Sequence, residues 1–228
     1  MTEYSSLLLD ADGTLFDYAR AEASALKHTF SEFGLIYDPR LHLDEYRRIN
    51  DGLWLEFERG ITTSEALRKE RFRQLFGTFR LEVDPHTFSE AYLKNLAAAN
   101  FLIDEAEQTC EYLSGKYELA ILTNGIKHVQ ENRFRTSPLA KHIRHLIVSE
   151  DAGCQKPDPR IFDYAFQKLG LRDKHRALIV GDSLSSDIRG GANYGIDTVW
   201  YNPNCLPRIH GLEPTYEIRL LSELTRIL

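Results

Sequence analysis

The sequence predicts an α/β protein: a parallel sheet with helices on both faces, into which an all-helical segment is inserted. Three observations carry this. The apolar run Leu7-Leu8-Leu9, bounded by polar residues, reads as a short buried strand. From Ile103 onward, short apolar runs alternate with helical stretches, the pattern of a parallel sheet covered on both sides. Between these parts, residues 18–98 contain no convincing strand. A chain of 228 residues can hold one good core and a smaller domain, and 43% hydrophobic with 27% charged residues is the balance of an ordinary globular protein. The expected division is residues 1–17 with 99–228 as the sheet domain and 18–98 as the helical one.

In chain order, the first strand ends at Asp10, and Ala19 to Phe33 follows as a helix rich in Ala, Leu and Phe, stopped at Gly34. Pro39 marks the start of a second helix, which carries Tyr46, Ile49, Leu53, Trp54 and Phe57 toward one side and ends at Gly60. Thr62-Thr63-Ser64-Glu65 supplies a cap and an acidic first turn for a third helix through about Phe76. Asp84-Pro85 opens a fourth, to about Ala99. The sheet domain then resumes with a helix over Glu105–Ser114, a strand over Glu118–Leu122, a helix over Lys127–Arg135 and a strand over His145–Ser149. A helix over Arg160–Leu169, a strand over Ala177–Val180, a helix over Asp187–Tyr194 and a strand over Thr198–Tyr201 complete the alternation. The turn-rich stretch from Pro203 to Pro214 leads to one more strand and helix. Right-handed crossovers and binding beyond the carboxyl ends of the strands are the general expectation for such a sheet.

Composition narrows the partners. A formal net charge of −6 argues against a nucleic-acid polymer, whose binding rests on Lys and Arg, but leaves room for a small anion at a local cationic site. Cys110, Cys154 and Cys205 are far apart, odd in number and form no C-x-x-C pair, so reduced thiols are expected in place of a disulfide frame or zinc site. Glu3 before a very short apolar run fits neither a signal peptide nor a membrane span, and a cytoplasmic location is the expectation.

The chemistry gathers at the strand ends. Side chains alternate along a strand, so Asp10 and Asp12 project to one side if the extended backbone persists through Ala11, and Gly13 then lets the chain turn beside Thr14. Two carboxylates about 4 Å apart repel by roughly 4 kcal/mol at an effective dielectric of 20, so a proton, metal or cation must neutralise them. Thr123-Asn124-Gly125 follows the second strand, where a hydroxyl, an amide and backbone N–H groups suit an anion, although Asn-Gly is also a routine turn. In Lys156-Pro157-Asp158-Pro159 the prolines are explained by the helix start that follows; Lys156 is not. Asp182 stands at another strand end, and Asp187 either joins it or caps the next helix. Together Asp10, Asp12 and Asp182 form an acidic pocket whose all-oxygen ligands suit Mg²⁺, with Lys156 and the Thr123 region facing it. Such a set can hold a phosphoryl group while a carboxylate attacks phosphorus.

In these four places, Asp10-Ala-Asp-Gly-Thr14, Thr123-Asn-Gly125, Lys156, and Gly181-Asp182 with Asp187, the sequence resembles the haloacid dehalogenase-like superfamily of phosphohydrolases. The resemblance spans nearly the whole chain and implies a Rossmann-like core. It implies Asp10 as nucleophile forming an aspartyl-phosphate, and Asp12 as the acid for the leaving oxygen and then the base for water. It further implies Mg²⁺ held by Asp10, the Asp12 backbone carbonyl and Asp182, and phosphate held by Thr123, the Asn124 backbone and Lys156. Asp187 would orient Lys156 or a metal-bound water. The helical insertion is where the family places a cap that shields the site and reads the leaving group.

Asp12 argues for phosphoryl chemistry, since dehalogenases of the family lack an acid there. The stretch Ile49-Asn50-Asp51-Gly52-Leu53-Trp54, Glu58-Arg59-Gly60-Ile61-Thr62 and Arg71-Phe72 resemble the cap of bacterial pyrimidine 5′-nucleotidases with house-cleaning roles. This implies a nucleoside monophosphate as substrate, with Asn50 and Trp54 near the base, although Leu53, Trp54 and Phe57 at helical spacing also fit a core stripe. Phosphoglycolate or sugar-phosphate phosphatase, phosphomutase and a non-catalytic ligand-binding member are the alternatives. The run Arg68-Lys69-Glu70-Arg71-Phe72-Arg73 reads as a solvated helix face, as do the His and Arg residues from Arg133 to His145.

Overall fold

The structure is a computed structural model that describes residues 4–228. The chain divides into two compact units, one formed by the residues up to Tyr18 together with Asn100–Leu228, the other by Ala19–Ala99.

The first unit is built on six parallel strands: β1 (Ser6–Leu9), β2 (Glu118–Thr123), β3 (His145–Val148), β4 (Ala177–Gly181), β5 (Asp197–Tyr201) and β6 (Tyr216–Ile218). Their spatial order is β3-β2-β1-β4-β5-β6, with Leu8 of β1 level with Ala120 on one side and Ile179 on the other. Strand alternation divides the apolar runs between two cores. Leu7, Leu9, Leu119, Ile121, Leu178 and Val180 enter the cluster on one face, and Leu8, Ala120, Leu122, Ala177 and Ile179 the cluster on the other. That is why these strands are apolar throughout. The chain order reverses between β1 and β4, and in open α/β sheets ligands bind beyond the strand ends at such a crevice.

The helices of this unit are α5 (Ala106–Ser114), α6 (Lys127–Thr136), the single turn α7 (Ser149–Ala152), α8 (Pro159–Leu169), α9 (Arg189–Tyr194) and α10 (Leu224–Ile227); α1 to α4 belong to the insertion. The helix expected over Asp187–Tyr194 starts differently. A π-turn occupies Leu184–Ile188, Ser183 provides the cap by accepting from the Ser186 amide, and α9 begins only at Arg189. Asp187, within this turn, points its carboxylate inward, where it accepts from Lys156 and from the Ser183 amide. The insertion is closed at its base within this unit: the Asp17 amide donates to the Phe101 carbonyl at 3.0 Å, and Phe16 and Leu102 form an antiparallel bridge.

The second unit contains α1 (Tyr18–Glu32, from its second residue), α2 (Asp44–Glu58), α3 (Ser64–Phe79) and α4 (Pro85–Ala98). Pro39 starts a π-turn, Pro39–Leu43, and α2 follows it. Phe30, Phe72, Phe76 and Phe88 pack edge-on or tilted with ring centroids 4.9–6.1 Å apart, so the unit has its own aromatic core. The basic run of α3 is not a uniform solvated face. Lys69 and Arg73 are exposed, but Arg71 is buried, with its guanidinium 4.9 Å from the Tyr92 ring centroid and 5.1 Å from that of Phe72. Arg71 lies on the same helical row as Leu67 and Leu75, which turns it inward. Among the described residues no helix is long and apolar enough to cross a membrane.

Candidate active site

Asp10 follows β1 directly, and its amide still donates to the Val180 carbonyl, so its carboxylate leaves the sheet where β1 and β4 diverge. Gly13 turns the chain at φ +86°, and its amide donates to the Phe16 carbonyl. A Cβ at Gly13 would lie 2.4 Å from Asp182 Oδ2, so only glycine lets this loop pass so close to that carboxylate. Thr14, buried, donates weakly to Asp182 Oδ1 at 3.5 Å.

Lys156 is the hub, 1% exposed. Its ammonium donates to Asp10 Oδ1 at 2.5 Å, Asp187 Oδ1 at 2.6 Å and the Leu122 carbonyl at 2.7 Å, which uses all three of its hydrogens. Burial opposes its charge, yet Asp10 and Asp187 outweigh burial and hold the ammonium above its ordinary range. Asn124 pins the backbone that carries it: its amide donates to the Lys156 carbonyl, and its side-chain oxygen accepts from the Lys156 amide. Thr123 Oγ1 accepts from the Gly125 amide. Asp187 also accepts from the Ser183 amide, which accounts for the inward turn of its carboxylate.

One carboxylate oxygen from each of Asp10, Asp182 and Asp187 lies within 4.8 Å of the other two. Burial, together with the Asp187 and Asp182 charges, pushes the Asp10 carboxyl up against the pull of Lys156. Burial and the Asp187 charge push Asp182 up to about 7. Asp10 and Asp182, both raised and held this close to a third carboxylate, lack positive charge.

Asp12 has donors of its own, although its charge still reaches Asp182. Arg133 Nη1 donates to its Oδ1 and Gln130 Nε2 to its Oδ2, each at 2.5 Å. Arg133, expected in a solvated face, is wholly buried, with its guanidinium 4.6 Å from the Phe16 ring centroid. Gln130 and Arg133 are therefore site residues that the sequence reading missed. Their spacing held the signal, since Ile126, Val129, Gln130 and Arg133 fall on one side of α6, three and four residues apart. Asp10, Asp182 and Asp187, when ionised, face the single ammonium of Lys156 and leave two negative charges, the complement of one divalent ion. The all-oxygen donor set also fits Mg²⁺.

The structure thus brings together Asp10, Lys156, Asp182 and Asp187, with Asn124 fixing the Lys156 loop and Asp12 on its own pair of donors. Asn50 and Trp54 belong to the helical unit. Asn50 is buried there and accepts from Arg71 at 3.4 Å, and Trp54 is half-exposed with its ring edge-on to Phe57.

Residues 4–195 match the family of haloacid dehalogenase-like hydrolases. The chain is 38% identical to the HAD-hydrolase YfnB of Bacillus subtilis, over 100% of this chain and 97% of that protein. The crystal structure of YfnB bound to magnesium, described as revealing interdomain movement, superposes with a TM-score of 0.93 over 99% of both chains. The chain is also 35% identical to the pyrimidine 5′-nucleotidase PynA of Streptococcus pneumoniae, covering 94% of this chain and 91% of that one. Its identity to the pyrimidine 5′-nucleotidase YjjG of Escherichia coli is 31%, covering 97% and 96%.

Proposed function

The chain belongs to the haloacid dehalogenase-like hydrolases, and from that premise we propose that it is a Mg²⁺-dependent 5′-nucleotidase acting on pyrimidine nucleoside monophosphates through an aspartyl-phosphate. The observation that carries the chemistry is the Asp10–Lys156–Asp187 bridge beside a separately held Asp12. The identity to PynA and YjjG over nearly the full chain supports the nucleotide as substrate.

Lys156 holds one oxygen of Asp10, which fixes the carboxylate so that its other oxygen can attack phosphorus. The Oδ–P bond forms, the P–O5′ bond breaks, and Asp12 gives its proton to the leaving nucleoside oxygen. Water then attacks the aspartyl-phosphate, Asp12 takes the proton, and phosphate departs with Asp10 restored. Thr123 accepts from the Gly125 amide, so its own hydroxyl hydrogen is the one it would offer to a phosphate oxygen, next to the Asn124 amide. Asp10, Asp182 and the Asp12 carbonyl would hold Mg²⁺, with Asp187 serving both Lys156 and the acidic cluster; the ion would neutralise charge on the phosphoryl oxygens. Residues 18–98 would act as the cap, with the half-exposed Trp54 offering a face to the base, and Asn50 acting through its bond to Arg71. The three free cysteines suit the cytoplasm.

Phosphate release from pyrimidine and purine nucleoside monophosphates, phosphoglycolate and hexose phosphates, with Mg²⁺ and with EDTA, tests the proposal. The highest kcat/KM is expected for dUMP, dTMP or UMP, abolished by EDTA and lost in Asp10→Asn. A sugar phosphate or phosphoglycolate as best substrate would overturn the nucleotide assignment. Near-wild-type turnover in Asp10→Asn would overturn the covalent route.

A further inference from the structure

Resting on that reading, we infer that Gln130 and Arg133 are positioning residues: a two-pronged support from α6 that fixes the Asp12 carboxylate in one orientation for both of its proton transfers. Asp12 stands beyond the end of β1, its side chain about one-quarter exposed at 26%, and β-sheet pairing does not fix its rotamer. The support does. Each prong takes one lone pair on a different carboxylate oxygen, so rotation about the side chain would break at least one bond of 2.5 Å. Each oxygen retains a second lone pair for a proton.

The prongs are themselves anchored. Both are on one face of α6, four-residue spacing apart from Ile126 and Val129, and Arg133 is backed by the Phe16 ring. Gly125 makes the space for Gln130: a Cβ there would lie 2.1 Å from Gln130 Nε2. The arrangement is costly for the fold. Arg133 is wholly buried, and its Nε and Nη2 find no hydrogen-bond partner among the described residues. An apolar side chain would pack against Phe16 without that cost. What the guanidinium adds is the bond to Asp12.

The test separates positioning from mere packing through the leaving group. Wild type, Arg133→Met, Arg133→Lys and Gln130→Met are compared on UMP and on p-nitrophenyl phosphate with Mg²⁺, with folding followed by circular dichroism and thermal unfolding. kcat/KM covers the steps through formation of the aspartyl-phosphate, and p-nitrophenolate leaves without needing a proton, whereas a nucleoside alkoxide needs one. A positioning role lowers kcat/KM for UMP about 100-fold in Arg133→Met, within the usual contribution of a general acid, and that for p-nitrophenyl phosphate less than about ten-fold. kcat falls for both esters, because the same intermediate awaits Asp12 as base. Arg133→Lys, which keeps a charged donor, recovers part of the loss on UMP. Equal kcat/KM losses on the two esters, or none on either, overturn the inference while the phosphatase reading stands. If Arg133→Met fails to fold, Gln130→Met decides by the same pattern. A wild type inactive on both esters overturns the phosphatase reading and this inference with it.

Discussion

Lys156 has an acceptor for each of its ammonium hydrogens, so the positive charge it gives the site is fully committed, and the uncompensated acidity falls on Asp182. The sign of the resulting pH dependence follows from its raised pKa. The folded carboxyl holds its proton up to about 7, whereas the unfolded one releases it near the ordinary 3.8. Without metal, this group therefore contributes a stability that is full below the unfolded value, declines as pH rises through that window, and is gone above about 7. Mg²⁺ needs the ionised form, so protons compete with it over the same range. We expect the apparent Mg²⁺ affinity, read from thermal shifts during titration, to weaken by up to about ten-fold per pH unit below about pH 7 and to level off above it. A flat affinity between pH 5 and 8 would remove Asp182 from the metal site. Residues at strand ends were legible because an apolar run announces the strand and a carboxylate straight after it has few bland explanations. Arg133 was legible only in its spacing from Ile126 and Val129, because on a helix as polar as Lys127–Thr136 a charge reads as solvated, and its packing against Phe16 and its bond to Asp12 are tertiary.

At the scale of elements, the strands declared themselves because burial on both faces forces unbroken apolar runs, and Thr63, Asp84 and Pro159 marked helix starts where the structure has them. The π-turns at Pro39–Leu43 and Leu184–Ile188 were not legible, since they answer to local hydrogen bonds with no periodic signal. The loop after β1 is the element on which the acidic cluster depends, and glycine is its weak point. Gly13→Ala meets both a strained φ of +86° and a carboxylate oxygen 2.4 Å from the new methyl group. Gly195→Ala meets the same φ with nothing within 4 Å. Both should lose about 1–2 kcal/mol of stability in urea unfolding from the left-handed conformation. Only Gly13→Ala should also lose Mg²⁺ affinity, by about ten-fold or more, roughly 1.4 kcal/mol of displaced Asp182. Equal Mg²⁺ affinity in the two variants by calorimetry would show that the loop is not shaped around that carboxylate.

Across the whole molecule, the two units are filled on different principles: largely aliphatic layers on the two faces of the sheet in one, and an aromatic cluster in the other. Every carboxylate of the acidic cluster belongs to the first. Hydrogen exchange should therefore respond to Mg²⁺ unevenly, with slowed exchange in residues 10–16 and 181–188 and little change within α2 to α4; the reverse distribution would place the ion elsewhere. The paired chain ends beneath the insertion have a consequence of a different kind. With Asp17 bonded to Phe101 and Phe16 bridged to Leu102, the chain segments that lead into and out of the insertion are held side by side within the sheet unit. Closing a longer or shorter segment between them changes the entropy only logarithmically, by about 0.6 kcal/mol per doubling of a flexible loop. A segment of widely varying length can therefore be carried between these two positions at little change in closure entropy for the sheet unit that holds the acidic cluster.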